Sequence, residues 1–298
     1  MNIIITGANG FIGSHLLKKF FDAGDTVYAI IKDRNEDISN ISECQNIIYC
    51  GLDNLDSIYD ELKNLDTPVF YHLAWAGVNG YSKSDYTTQI MNVKMTLDVA
   101  SFAKKLNARC FLCAGTIAEM AIDSFPFLEK ISGGQMYGVG KVATRYFLEA
   151  YCKNVGLPFV WMRFSNIYGP DNKTGNLISY TLTQLQKNEE ATFGPALQPY
   201  DFIFVDDLIE AVFRLGRKEN HAKIDYFIGS GSPRILKDYL DEVGVLYGRP
   251  ELIKIGSRPD DSIKYTMDMF DTSDIINEIG DYISKSFTDG IKYTIDRF

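Results

Sequence analysis

Three glycines at every third position, Gly7, Gly10 and Gly13 in "ITGANGFIG", constrain this chain more than anything else in it. They follow the apolar run Ile3-Ile4-Ile5 and precede an amphipathic stretch from His15 to Ala23. A strand, a glycine-rich turn and a helix in that order is the context that gives a glycine motif meaning. The first glycine permits the tight turn, and a bare position lets backbone approach a pyrophosphate. The last allows helix and strand to pack closely. The helix N-terminus adds free N–H groups and partial positive charge for a diphosphate. The spacing is G-x-x-G-x-x-G and not G-x-G-x-x-G. On these residues alone, a turn serving only chain reversal stays open.

The first 165 residues alternate two patterns. Short apolar runs read as strands: Ile3–Thr6, Thr26–Ile31, Asn46–Cys50, Val69–His72, Cys110–Cys113 and Phe159–Met162. Stretches with helical spacing lie between them, as in "YTTQIMNVKMTLDVASFAKKL", where Ile90, Val93, Leu97 and Ala100 recur at i, i+3, i+4 intervals. Ile- and Val-rich strands with helices between them predict a parallel sheet covered on both faces. The fold expected is α/β, a Rossmann-like doubly wound parallel sheet with a smaller C-terminal α/β substrate-binding domain. After about residue 165 the alternation weakens, and Gly and Pro cluster at "YGPDNKTGN", "FGPALQPYD", "GSGSPR" and "GSRPDD". The division expected is 1–165 for dinucleotide binding and 166–298 mainly for substrate, with 203–228 returning to the first unit. A cleft between the two is the default ligand site.

Hydrophobic content of 46% provides for a sizeable core, and a formal net charge of −9 makes phosphate backbones poor partners, so nucleic acid is set aside. The five cysteines show no metal-like spacing with the three histidines, and no metal is expected. Cys110 and Cys113 form a C-x-x-C inside an apolar strand, where alternation sends their side chains to opposite faces. Buried free thiols in a reducing cytosol are the reading. There is no signal-peptide pattern and no apolar run of about 18 residues, so the expectation is a cytoplasmic protein without a membrane span. His15, His72, His221, Trp75 and Trp161 are expected to pack, cap turns or lie at the surface.

"TGANGFIG" resembles the cofactor turn of the extended short-chain dehydrogenase/reductase family. More of that family's pattern follows in order. "YHLAWAG" is similar to its segment with Ala74 and Ala76 near the cofactor, and Asn92 matches a structural asparagine. "YGVGK" supplies Tyr137 and Lys141 as a Y-x-x-x-K pair, and "MRFSNIYGP", "YDFIFVDDL" and "SRPDD" resemble later family segments. The resemblance covers nearly the whole chain and implies an enzyme acting on nucleotide-diphosphate sugars. The cofactor-binding set it implies is Gly7, Asn9, Gly10, Phe11, Ile12, Gly13, Lys32, Arg34, Leu52, Leu73, Ala74, Ala76, Tyr137 and Lys141.

Tyr and Lys four apart on a helix share a face. A tyrosine normally ionises near pH about 10. A nearby ammonium and a charged nicotinamide are expected to draw Tyr137 toward neutrality, so that it exchanges a proton with a sugar oxygen. Lys141 is expected to hold the nicotinamide ribose as well. In "FLCAGTIAEMA", Thr116 takes the place of the family's Ser/Thr, a hydrogen-bond donor to the same oxygen. The 4,6-dehydratases resemble T-D-E there, and this chain has Ile117 and Ala118 after Thr116, so water elimination is not expected. "AGTIAEM" with "HLAWAG" is most similar to a subgroup containing nucleotide-sugar 4-ketoreductases.

In "VYAIIKDRNED", Ile31 stands where NAD-specific members carry an acid, and Lys32 and Arg34 suit a 2′-phosphate. NADP(H) is therefore favoured, with NAD(H) as the alternative because Asp33 could serve by a loop shift. On the substrate side the resemblance implies Thr116, Asn166, Tyr200, Arg258 and Asp261, with Arg258 clamping the diphosphate. Tyr200 replaces an arginine common in the family. Three functions follow: an NADPH-dependent 4-ketoreductase of a nucleotide-linked deoxysugar; a nucleotide-sugar 4-epimerase holding NAD tightly; and a non-catalytic NAD(P)-binding regulator. A homodimer is expected through the helices at 84–107 and 135–155, with Phe102 and Tyr151 on its apolar face.

Overall fold

The computed structural model describes residues 1–127, 133–172, 174–260 and 265–298, with backbone alone for 123–127. The predicted strands form one sheet: β1 (Asn2–Thr6), β2 (Thr26–Ile31), β3 (Asn46–Tyr49), β4 (Val69–His72), β5 (Cys110–Thr116) and β6 (Phe159–Phe164). A seventh strand, Asp225–Ile228, joins at the β6 edge. The order is Asp225–Ile228, β6, β5, β4, β1, β2, β3, with every pairing parallel. β5 and β6 run past the predicted ends, because pairing continues from Ala114–Met162 through Thr116–Phe164. That extension lifts Thr116 to the C-terminal edge of the sheet, where doubly wound folds bind ligands.

Both faces are covered. Ile3 and Ile5 point into one apolar core with α1 (Phe11–Asp22), while Ile4 points into the other. Cys110 and Cys113 part to the same two cores, as strand alternation requires, and all five cysteines are free and buried. The second core is roofed by α2 (Tyr59–Leu62), α3 (Tyr86–Lys105) and α4 (Met136–Val155). Phe102 belongs to this core at 4% exposure, so it cannot form a dimer face, and Tyr151 packs partly against the same core. The exposed apolar side chains of α3 and α4 are Tyr86, Ile90, Met91, Met136, Val139, Tyr146 and Phe147. Phe102 lies about 120° around α3 from the exposed Ile90, on the side that packs into the second core.

Beyond β6 the chain makes short pairings: Asn166–Tyr168 with Phe202–Phe204, Pro199–Tyr200 with Arg234–Ile235, and Ala191–Thr192 with Ile253–Lys254. Helix α5 (Leu177–Gln186) is capped by Asn176, whose side chain accepts from Ser179 N–H at 3.0 Å. The helix α6 (Val205–Arg217) packs on α1, and Asp225–Ile228 after it pairs with β6. No described helix is long and apolar enough to cross a membrane.

Candidate active site

Gly7 adopts φ +72°, and a Cβ there would lie 2.8 Å from the backbone nitrogen of Ala74. Only bare backbone allows that turn beside that strand end. Gly10 is the N-cap of α1 and offers no side-chain cap, so the first N–H groups of the helix stay open for an anion. The turn forms one wall of a cavity of about 1030 Å³. Gly7, Asn9, Gly10, Phe11, Ile12, Gly13, Lys32, Leu52, Leu73, Ala74, Ala76 and Tyr137 all line it, as do Asn166 and Tyr200 from the opposite side. Asn92, buried on α3, fixes that wall by accepting from Ala76 N–H at 3.0 Å and donating to Ala76 O at 2.8 Å. The cradle fits a dinucleotide: a cap-free helix N-terminus behind glycines, with apolar walls on either side.

Four expected residues stand elsewhere. Arg34 does not line the cavity; its guanidinium stacks over the Tyr49 ring at 4.8 Å. Glu36 and Asp53 do line it. Arg258 is bonded to Thr192 Oγ1 at 2.7 Å and to Tyr180 Oη at 2.9 Å, away from the cavity wall. Thr116 and Lys141 sit behind Tyr137. Asp261 lies outside the described residues. Tyr200 donates to Asn166 Oδ1 at 2.9 Å, so the residue in place of the family arginine is tied to its neighbour.

Tyr137 and Lys141 share a face of α4. The Lys141 side chain is buried, and its Nζ donates to Ala114 O at 2.7 Å. It is turned from the cavity where a ribose contact was expected. Its ammonium lies 5.9 Å from the Tyr137 ring, 3.7 Å from Trp75 and 5.8 Å from Trp161. Burial brings its pKa down to about 8, against the opposing charges of Cys113 and Glu119. Thr116 hydrogen-bonds to the half-buried Tyr137 phenol. Burial raises the Tyr137 pKa, the Thr116 bond opposes that, and the Glu119 charge adds to it. The expected fall toward neutrality is not what the chain's own groups produce. They favour the neutral phenol, because desolvation outweighs the one hydrogen bond.

Sequence reasoning missed Trp75, Gln89 and Glu119. Trp75 lines the cavity, donates to Gln89 Oε1 at 3.0 Å and meets Tyr137 edge-on at 6.1 Å. Its signal was its place between Ala74 and Ala76. Glu119 accepts from Thr116 N–H at 2.7 Å, and Thr116 Oγ1 accepts from Ala118 N–H at 3.3 Å. That is a capping arrangement, legible as T-x-x-E. His72 does more than pack: its ring meets Thr6 Oγ1 at 2.7 Å and Thr96 Oγ1 at 3.1 Å, tying β1, β4 and α3 together.

A glycine cradle at the carboxyl edge of a doubly wound parallel sheet, with the Tyr of a Tyr-Lys helix pair in its wall, defines a dinucleotide-dependent enzyme of the extended short-chain dehydrogenase/reductase type. The profile of the NAD dependent epimerase/dehydratase family matches residues 3–229. The chain belongs to that family. It is 31% identical over 247 residues to CDP-abequose synthase of Salmonella typhimurium, covering 80% of this chain and 78% of that one. The CDP-abequose synthase of Yersinia pseudotuberculosis is 25% identical over 220 residues, covering 74% and 75%. The fold matches UDP-glucose 4-epimerase from Thermotoga maritima with a TM-score of 0.80 at 21% identity, covering 100% of this chain and 98% of that one. It also matches dTDP-glucose 4,6-dehydratase from Bacillus anthracis, solved with NAD, with a TM-score of 0.79 at 20% identity, covering 99% and 96%.

Proposed function

We propose that this enzyme reduces the 4-keto group of a nucleotide-diphosphate deoxysugar, with NADPH as reductant. The observation that carries the reading is the joining of Thr116 to Tyr137 in the cavity wall, with the Lys141 ammonium 5.9 Å from the Tyr137 ring. The glycine turn would hold the cofactor diphosphate, Leu73, Ala74 and Ala76 its nicotinamide half, and Lys32 a 2′-phosphate. Reduced nicotinamide, when bound, supplies a hydride. Tyr137 gives its phenolic proton to the sugar oxygen as the C4–O double bond becomes a single bond. Thr116, joined to the phenol, holds Tyr137 in place for that transfer. Lys141 offsets the negative charge left on Tyr137. A neutral phenol is the form this direction needs, and burial favours it.

Three further features support the reading. Ile117 is buried in an apolar cluster with Ala121, Phe227, Tyr265 and Phe270, so the position next to Thr116 carries no acid for water elimination. Tyr200 and Met120 extend that cluster. Tyr200 also lines the cavity, so the cluster reaches the wall through one apolar ring, which suits a sugar stripped of hydroxyls. The similarity to two CDP-abequose synthases points to the same class of nucleotide sugar.

Glu36 and Asp53 in the cavity wall favour a second reading, a 4-epimerase holding NAD through its ribose hydroxyls. One experiment separates the two. Purified enzyme is offered a panel of 4-keto and 4-hydroxy nucleotide sugars, each with NADPH or with no added cofactor. Loss of reduced-nicotinamide absorbance with a 4-keto sugar supports the reductase. Inversion of a 4-hydroxy sugar with no added NADPH overturns it in favour of the epimerase.

A further inference from the structure

Glu119 lies behind Thr116 and does not line the cavity. It is 7% exposed, and its two oxygens carry three hydrogen bonds. Oε1 accepts from Thr116 N–H at 2.7 Å and from the Trp161 indole at 3.2 Å, while Oε2 accepts from the same indole at 2.9 Å. Gly115 leaves room for this meeting, since a Cβ there would fall 2.7 Å from Oε1. A carboxylate buried this deeply is costly unless its lone pairs are satisfied, and here donors from β5 and β6 satisfy them.

We infer that Glu119 is a positioning residue for proton transfer: through the Thr116 backbone and the Trp161 indole, its carboxylate holds the Thr116 hydroxyl against Tyr137. The inference rests on the reading of Thr116, Tyr137 and Lys141 given above. Glu119 meets neither substrate nor cofactor and acts through Thr116. The charged and titratable groups facing it are Lys141 and Tyr137 from α4, Cys113 from β5 and Arg163 from β6. Arg163 is neutralised by Asp225 at 2.7 Å. Burial pushes the Glu119 carboxyl up to about 7, and the Thr116 and Trp161 bonds with the Lys141 and Arg163 charges pull it down. A carboxyl so placed changes charge near neutral pH. The ionised form offers both oxygens, whereas protonation at Oε2 gives up the 2.9 Å indole contact and leaves the indole only the longer 3.2 Å one at Oε1.

Two measurements test this. With a 4-keto nucleotide sugar, wild-type kcat should fall as pH drops through about 7. Glu119→Gln should lower kcat by about ten- to hundredfold, the scale of one charge-assisted hydrogen bond, and abolish that acid limb. Trp161→Phe, which keeps the fold's aromatic packing, should move the limb to higher pH because a bond favouring the carboxylate is gone. Wild-type kcat in Glu119→Gln, or a loss of kcat with the acid limb unmoved in both variants, overturns the proposal.

The second measurement needs no substrate. The chain has two tryptophans, so Trp75→Phe leaves Trp161 as the sole indole reporter. Its emission should titrate near pH 7, and the titration should vanish in Trp75→Phe/Glu119→Gln. Flat emission in the single variant, or the same titration in both, overturns the proposal. Titrating emission in a protein that reduces no nucleotide sugar retains the Glu119 arrangement and rejects the reductase reading.

Discussion

The Lys141 ammonium lies 3.7 Å from the centroid of the Trp75 ring. A cation held this way without water gains about 2 kcal/mol or more from the ring's electron density. Trp75 is itself held by Gln89, and its ring meets that of Tyr137 in a T-shaped contact. One indole therefore sets the places of both members of the Tyr-Lys pair. Gln89 completes the support by donating to Gly77 O and Ser82 O, each at 3.1 Å.

Removal of the phenolic proton donor should be the most damaging single change. Tyr137→Phe should lower kcat by about 10²–10⁴-fold, the usual scale of general acid catalysis, with little change in NADPH affinity. Thr116→Val should cost less, since it removes one hydrogen bond and no proton. Steady-state kinetics with cofactor-binding titrations check both. Near-full turnover in Tyr137→Phe would move the acid elsewhere in the cleft.

Cofactor choice is testable at the end of β2. Lys32→Ala should weaken NADP binding and leave NAD binding nearly unchanged. Arg34→Ala should add less, because Arg34 is engaged with the Tyr49 ring. Titration of the single and double variants with both cofactors decides this. Equal losses for NAD and NADP would count against a 2′-phosphate contact at Lys32.

We propose that the exposed apolar side chains of α3 and α4 form a homodimer face. Tyr146 and Phe147 are 59% and 57% exposed, and Ile90 is 62% exposed. Phe147→Glu should convert a dimer to monomer by light scattering while leaving the far-ultraviolet spectrum intact. A wild-type protein that is monomeric at micromolar concentration would reject the interface.

His72 should make the protein acid-sensitive. Burial, with the Lys141 charge, lowers its pKa from 6.5 to about 3. The unfolded chain thus takes up a proton that the native ring refuses. The stability contribution is present above about pH 6.5 and is lost as pH falls toward about 3. In denaturant titrations His72→Gln should be less stable at neutral pH, with a shallower loss on acidification. A slope equal to that of the wild type would show that other groups set the acid limit.

Much of the glycine-turn wall of the cavity was legible in the chain, because its causes are local. Gly7 can turn with positive φ at no steric cost, and Ile3 to Ile5 must be buried on both sides wherever the sheet forms. Twelve of the expected positions, from Gly7 to Tyr137, line one cavity because strand ends and a helix N-terminus carry them there. The positions expected to meet substrate were less legible. Arg258 and Tyr200 are placed by short pairings between distant segments, and their spacing in the sequence says nothing about which neighbours they find.

By itself the sequence determined the parallel sheet, the glycine cradle and the Tyr137–Lys141 pair, since periodicity and turn chemistry act over a few residues. Tertiary structure alone decided that Phe102 lies inside while Ile90 and Phe147 lie outside, because that depends on which side of a helix meets the sheet. It also decided that Trp75 and Trp161 enclose Lys141 and that Glu119 stands behind Thr116. These groups come from β4, β5, β6 and α4 and their connections. Only the stacking of those elements sets the burial that shifts their proton affinities.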